Sequence, residues 1–141
     1  MTLTDPFLGT WHLSSPRSAF DPHHRPRSAT IVIERTDEGH YVMQAEGISE
    51  GGEVIKERTQ RFILDGEPHP IPDLPGFVMI SSRPDHRTIE NEARRENGTI
   101  AGRGAIIAAP NGTALTLLTY GVDAEQREFK QQTVFMRRDG R

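Results

Sequence analysis

At 141 residues the chain is the length of one domain, expected over 1–141 with a single core that buries roughly two thirds of the surface the unfolded chain exposes. Its hydrophobic fraction of 34% is low, but the apolar residues fall in short spaced clusters, so the chain reads as folded with an unusually polar surface. A net charge of -3 supplies no cationic field for a nucleic-acid backbone, and the lack of cysteine excludes a disulfide framework, a thiol nucleophile and a Cys-ligated zinc site. No apolar run approaches the ~20 residues of a membrane-spanning helix. The opening MTLTDPFLG has neither a basic nor an apolar leader segment, so a cytoplasmic location is expected, or a periplasmic or secreted one if a leader has been removed.

In chain order, apolar residues recur with period two or in runs of four to six, and turn chemistry such as DEG, EGG, LDGEP, RPDH, ENG and PNG cuts each run. This rhythm predicts strands near 8–14, 28–35, 40–48, 53–65, 77–82, 87–96, 99–109, 113–122 and 127–138, with at most one helical turn around Asp5 to Leu8. Residues 15–28, SPRSAFDPHHRPRS, contain Pro16, Pro22 and Pro26 and are expected to form an irregular loop at one end of the molecule, gating or flooring it. ENG at 96–98 and PNG at 110–112 suit two-residue hairpin turns, because Asn and Gly accept positive φ. Tight connections make sequential antiparallel neighbours. The fold class expected is all-β: an antiparallel meander of about eight to ten strands, closed into a barrel because closure removes sheet edges.

GTWHLS at 9–14 and VFMRR at 134–138 then fit together. Trp11 faces inward near Gly9 and Leu13 and plugs the bottom, while Arg137 or Arg138, on a last strand lying beside the first, lays its guanidinium across the indole. These four residues, Gly9, Trp11, Arg137 and Arg138, are read as structural.

A small barrel is either filled by side chains or encloses one small ligand. One face of EVIKERTQRFILD carries Arg58, Gln60, Phe62 and Leu64, and one face of GHYVMQAEG carries Tyr41, Met43 and Ala45. An interior with apolar walls and a few polar anchors is expected, with Met43, Arg58, Gln60 and Phe62 as lining candidates. Phe77, Met79, Ile106, Leu118, Gln131 and Thr133 complete that set together with Tyr120. An inward Arg58 would pair with a ligand carboxylate; an exposed Arg58 is the equal alternative. His23 and His24 adjoin in a loop, and no H-x-H or H-x-x-x-H spacing exists, so no metal site is expected. No motif points to a cofactor or to a Ser nucleophile.

PFLGTWHLSSPRSAF at 6–20, RFILDGEPHP at 61–70, RTIE at 87–90 and PNGTALTLLTYG at 110–121, followed by VFMRR, together resemble bacterial lipocalin-like proteins of the calycin superfamily. The resemblance covers most of the chain and implies a lipocalin-like barrel. Leu118, Tyr120 and Ile106 stand where related sequences tend to carry polar or basic residues, which implies either a more apolar pocket or plain core filling. A haem-binding member of that superfamily needs a proximal His on a late strand, and no His follows His86.

Three functions remain open at this point. The first is a non-catalytic small-molecule binding protein that holds a small apolar or amphiphilic ligand in its cup. The second is a cofactor-free isomerase or cyclase using an inward carboxyl such as Glu90 with Tyr120 and His69. The third is a filled barrel acting through its surface, as a monomer or a homodimer.

Overall fold

The structure, a computed structural model, describes residues 5–19, 26–49, 51–56, 59–72, 74–122 and 127–138. Eleven strands run in chain order: β1 (Gly9–Ala19), β2 (Pro26–Arg35), β3 (Tyr41–Ser49), β4 (Val54–Lys56), β5 (Gln60–Phe62), β6 (Pro68–Pro70), β7 (Phe77–Asp85), β8 (Thr88–Arg95), β9 (Ile100–Ala108), β10 (Ala114–Val122) and β11 (Glu128–Arg137). All their pairings are antiparallel.

The sheet is not closed into a barrel, which corrects the expected closure. Its order is β4-β3-β2-β1-β11-β10-β9-β8-β7-β6, with β5 attached to β3, so the path has two ends and no ladder joins them. Within the single strand expected over 53–65, β4 and β5 both pair with β3, and neither pairs with β7 or β6. After Phe62 the chain leaves the sheet into the LDGEP turn, where Asp65 accepts the Glu67 N–H at 2.9 Å. Across the opening, Gly66 N–H donates to the Ser81 carbonyl at 2.9 Å, a link between turn and strand rather than a ladder.

Three local features also differ from the sequence reading. β1 and β2 extend into the expected 15–28 loop, because Ser18 compensates for the ladder break at Pro16: its hydroxyl accepts the Val134 N–H at 2.8 Å and donates to the Ser14 carbonyl at 2.7 Å. Of the 15–28 segment expected to gate or floor the molecule, residues 20–25 lie outside the described residues. The hairpin at 95–99 has a three-residue loop, not a two-residue one: Gly98, at φ 88, donates to the Arg95 carbonyl, and Arg95 N–H bonds Thr99. Residues 5–8 form a turn held by the Asp5 carboxylate on Phe7 N–H at 3.1 Å, not a helical one. No helix among the described residues is long and apolar enough to cross a membrane.

Alternation then assigns the faces. Phe7, Trp11, Ile31, Ile33, Tyr41 and Phe62 are almost fully buried on the concave side, joined by Ile89, Ile106, Leu115 and Phe135.

Candidate functional site: a cavity graded from apolar base to polar mouth

The inward side chains of β3, β9 and β10 are mostly bulky near Trp11 and small or polar at the far end, while β11 is polar midway and ends on Phe129. On β3 the inward series is Tyr41, Met43, Ala45, Gly47, Ser49; on β9, read from its end, Ala108, Ile106, Gly104, Gly102. β10 runs Leu115, Leu117, Thr119, Gly121, and β11, read backwards, Phe135, Thr133, Gln131, Phe129. Because these series lie in register, large side chains fill the end around Trp11, while small ones leave space at the other. That end, the base, carries the 36–40, 85–87 and 109–113 turns. The space left toward the opposite end, the mouth, is a cavity of about 690 Å³ lined by residues of ten strands. It lies within the range of ordinary small-molecule sites.

The lining is apolar with uncharged polar groups. Gln60, Asn91, Thr119, Gln131 and Thr133 project from different walls, and the charged residues bordering the cavity are Glu46 and Arg103. Both are exposed, and Arg103 Nε lies 3.4 Å from Glu92. Ser81, 1% exposed, donates to Asn91 Oδ1 at 2.7 Å, which leaves the Asn91 amide nitrogen as that side chain's remaining donor.

The base is closed by stacked arginines and rings. Arg137 places its guanidinium 4.2 Å from the centre of the Trp11 ring and donates to the Gly112 and Leu8 carbonyls, each at 2.8 Å. The indole N–H donates to the Phe7 carbonyl at 3.1 Å. Gly9, at φ 136, is required here: a Cβ would sit 2.6 Å from Arg137 Nη1. Arg138 is exposed, so Arg137 alone of the two arginines stacks on Trp11. Beside this pair, Arg83 lies 5.0 Å from the Phe7 ring centre and donates to Tyr41 Oη at 2.7 Å, while the Tyr41 hydroxyl donates to Asp5. Burial, then the Asp5 carboxylate, push the Tyr41 phenol above its ordinary pKa.

The candidate residues divide accordingly. Met43, Gln60, Phe62, Met79, Ile106, Gln131 and Thr133 line the cavity. Leu118 and Tyr120 border it but belong to the opposite strand face from Leu117 and Thr119. Tyr120 is 42% exposed, with Lys130 Nζ 5.5 Å from its ring centre. An inward Tyr120 is therefore corrected: TLLTY offers apolar residues on both faces, and the register set by fully buried Leu115 points Tyr120 outward. Phe77 is outside the lining, 5.2 Å beneath the Arg95 guanidinium. Glu90 is exposed and alternates with buried Ile89. His69 lies on β6, opposite Met79 and just past the turn where it was expected, its Nε2 2.9 Å from the Asp65 carboxylate. The Glu67 N–H and then this ring hold that carboxyl below its usual range. The alternative catalytic set Glu90, Tyr120 and His69 is thus not brought together. Arg58 lies outside the described residues, as do His23 and His24. Among the described residues no group of three or more His, Cys, Asp or Glu side chains is placed to hold a metal.

Sequence reading missed Leu117 and Thr119 through that register. It also missed the Asp5, Arg83 and Tyr41 contact, whose members are far apart in sequence and carry no local pattern.

No family model and no curated protein matches the chain. Solved structures do. The wild-type fluorescent protein UnaG superposes with a TM-score of 0.63 at 12% identity, covering 93% of this chain and 96% of that one. As-p18, described as an extracellular fatty acid binding protein, gives 0.56 at 12% identity over 98% and 100% of the two chains. A redesigned beta barrel gives 0.54 at 10% identity, over 95% and 93%. The chain shares their fold. The likeness to lipocalin and calycin-type proteins is thus one of architecture, at a distance in sequence.

Proposed function

We propose that the protein binds a small, uncharged, partly apolar molecule in the concave cavity and performs no chemistry on it. The observation that carries this reading is the gradient along the strands, which fills the base, leaves about 690 Å³ toward the mouth, and places carboxamides and hydroxyls on the walls of that space. The shared architecture supports it, since As-p18 is a fatty acid binder by description. The lining argues for a different ligand here. Glu46 and Arg103, the charged groups at its border, are both exposed, so a buried carboxylate would lack a desolvated partner among the lining side chains. A neutral head with donors and acceptors suits Asn91, Gln60 and Gln131 better. The isomerase or cyclase reading loses its acid and its phenol, because Glu90 and Tyr120 both stand on the outer face. A filled interior acting through its surface is not favoured by a cavity of this size.

The test is native mass spectrometry of the protein purified from its own host, followed by denaturing extraction of anything released. A stoichiometric neutral compound supports the proposal. A clean apo mass that also stays unchanged against a panel of neutral and anionic amphiphiles overturns it.

A further inference from the structure

A second concavity of about 720 Å³ lies at the base, on the far side of Trp11 from the ligand cavity. Four separate pieces of chain wall it: Pro6, Gly9 and Thr10 at the entry to β1, His86 and Arg87 in the turn between β7 and β8, Ala109 to Gly112 between β9 and β10, and Arg137 with Arg138 at the end of β11. Those arginines are scattered in sequence, and folding gathers them. Arg87, Arg137, Arg138 and His86 line one groove, and among the described residues no Asp or Glu lines it, in a chain whose net charge is -3. Local charge here opposes the average, which is what focuses an anion on one spot.

Among the described residues no salt bridge within 4 Å pairs Arg87, Arg137 or Arg138 with an acid. Arg137 gives its N–H groups to the Gly112 and Leu8 carbonyls, neutral acceptors that fix its position and leave its charge. Arg87 and Arg138 are exposed. Asp85, two residues before Arg87, accepts the Arg87 backbone N–H at 2.9 Å, and its carboxyl, held below its usual range first by that bond and also by the charges of Arg87 and His86, offsets part of the positive charge on that wall. Asn111 Oδ1 accepts from both Thr113 N–H and Thr113 Oγ1, at 3.1 and 2.6 Å, so the amide nitrogen is its remaining donor. The groove thus combines fixed positive charge, two adaptable guanidinium forks and neutral donors, a set matched to a tetrahedral oxyanion with several acceptor oxygens.

We infer that this basal groove is a binding site for a phosphate group, carried by a small phosphomonoester in solution. It is independent of the ligand proposed for the cavity. Trp11 is the sole tryptophan and lies under the Arg137 guanidinium, so its emission reports on occupancy.

The experiment titrates the full chain with inorganic phosphate and with phenyl phosphate at constant ionic strength, against chloride, following Trp11 fluorescence and calorimetric heat. The expected result is saturable binding of both phosphates that weakens at least tenfold in an Arg87→Gln/Arg138→Gln double variant. Both positions are exposed, so the melting temperature in phosphate-free buffer stays at the wild-type value; should the double variant fold poorly, Arg138→Glu alone is the substitute. A response equal to that of chloride, or one unchanged by the substitutions, overturns the site. Vesicles of phosphatidylcholine with and without phosphatidic acid separate the sources: binding to the acidic vesicles without binding to free phosphate overturns the soluble ligand.

Discussion

The two ends of the concave sheet differ in how they use the same strands. At the base most inward positions are large, and cations are spent on rings and carbonyls: Arg137 on Trp11, Arg83 on Phe7 and Tyr41. Toward the mouth the inward positions of those strands are Ala, Gly, Ser, Thr and Gln, with Phe129 at the far end of β11, and the space between them is open. Stability is concentrated at one end and binding capacity at the other, so substitutions should separate the two properties by position along a strand rather than by strand.

The largest effect expected is at Trp11. Truncation to Ala removes a fully buried indole and the surface on which Arg137 rests, and should cost about 3–5 kcal/mol in denaturant unfolding. A variant melting near wild type would break the comparison outright, because the base would then not be the stabilising end. Arg137→Ala should follow at about 2–3 kcal/mol, from the lost stacking and the orphaned Leu8 and Gly112 carbonyls. Arg137→Lys should recover less than half of that, since an ammonium cannot stack flat while reaching both carbonyls.

Tyr41→Phe is smaller in size and sharper in form. It removes the donor to Asp5 and the acceptor of Arg83, worth about 1–3 kcal/mol near neutrality. The raised Tyr41 pKa adds a pH signature. The native state holds the phenol proton more tightly than the unfolded chain, so this stabilisation is complete below the ordinary tyrosine value near 10 and is lost as pH rises from there through the higher native value. The variant should therefore show a shallower decline of stability above pH 10 than wild type. Parallel alkaline declines in the two proteins would mean that the phenol is not held by the base cluster.

Much of this division was legible in the sequence and some was not. GTW, the closing arginines and the period-two runs identify the β meander and the stacked pair, because both follow from local alternation and from β1 and β11 being neighbours. The open edge was not legible, since alternation within each run does not say whether the edge that carries β4 and β5 finds a ladder partner in β6 or β7. Tyr120 was misplaced for a related reason. Leu117 and Leu118 are both apolar, so the strand's face is decided by what opposes it in register, Phe135 and Ala108 against Leu115, rather than by its own pattern. Arg87 carries no motif, and it meets Arg137 and Arg138 because turns from distant parts of the chain end on the same side of the sheet.

The smallest effect expected is the one that sharpens the comparison most. Ala45 and Ala108 both face inward, on β3 and β9, but Ala45 lines the cavity and Ala108, 1% exposed, lies in the packed base. Enlarging Ala108 to Leu forces three extra carbons into filled space and should cost about 1–3 kcal/mol through displaced neighbours. The same change at Ala45 places the side chain in open volume beside Ile31, its partner across β2, where the added apolar contact offsets the crowding. Stability should then move by no more than about 0.5 kcal/mol. Ligand capacity should move the other way: Ala45→Leu occupies space the ligand needs and should weaken binding of any compound identified by extraction at least tenfold, while Ala108→Leu, in the protein that remains folded, should leave it near wild type. Equal unfolding costs at the two alanines would mean that the mouth is packed like the base, and the gradient that motivates the binding function would not exist.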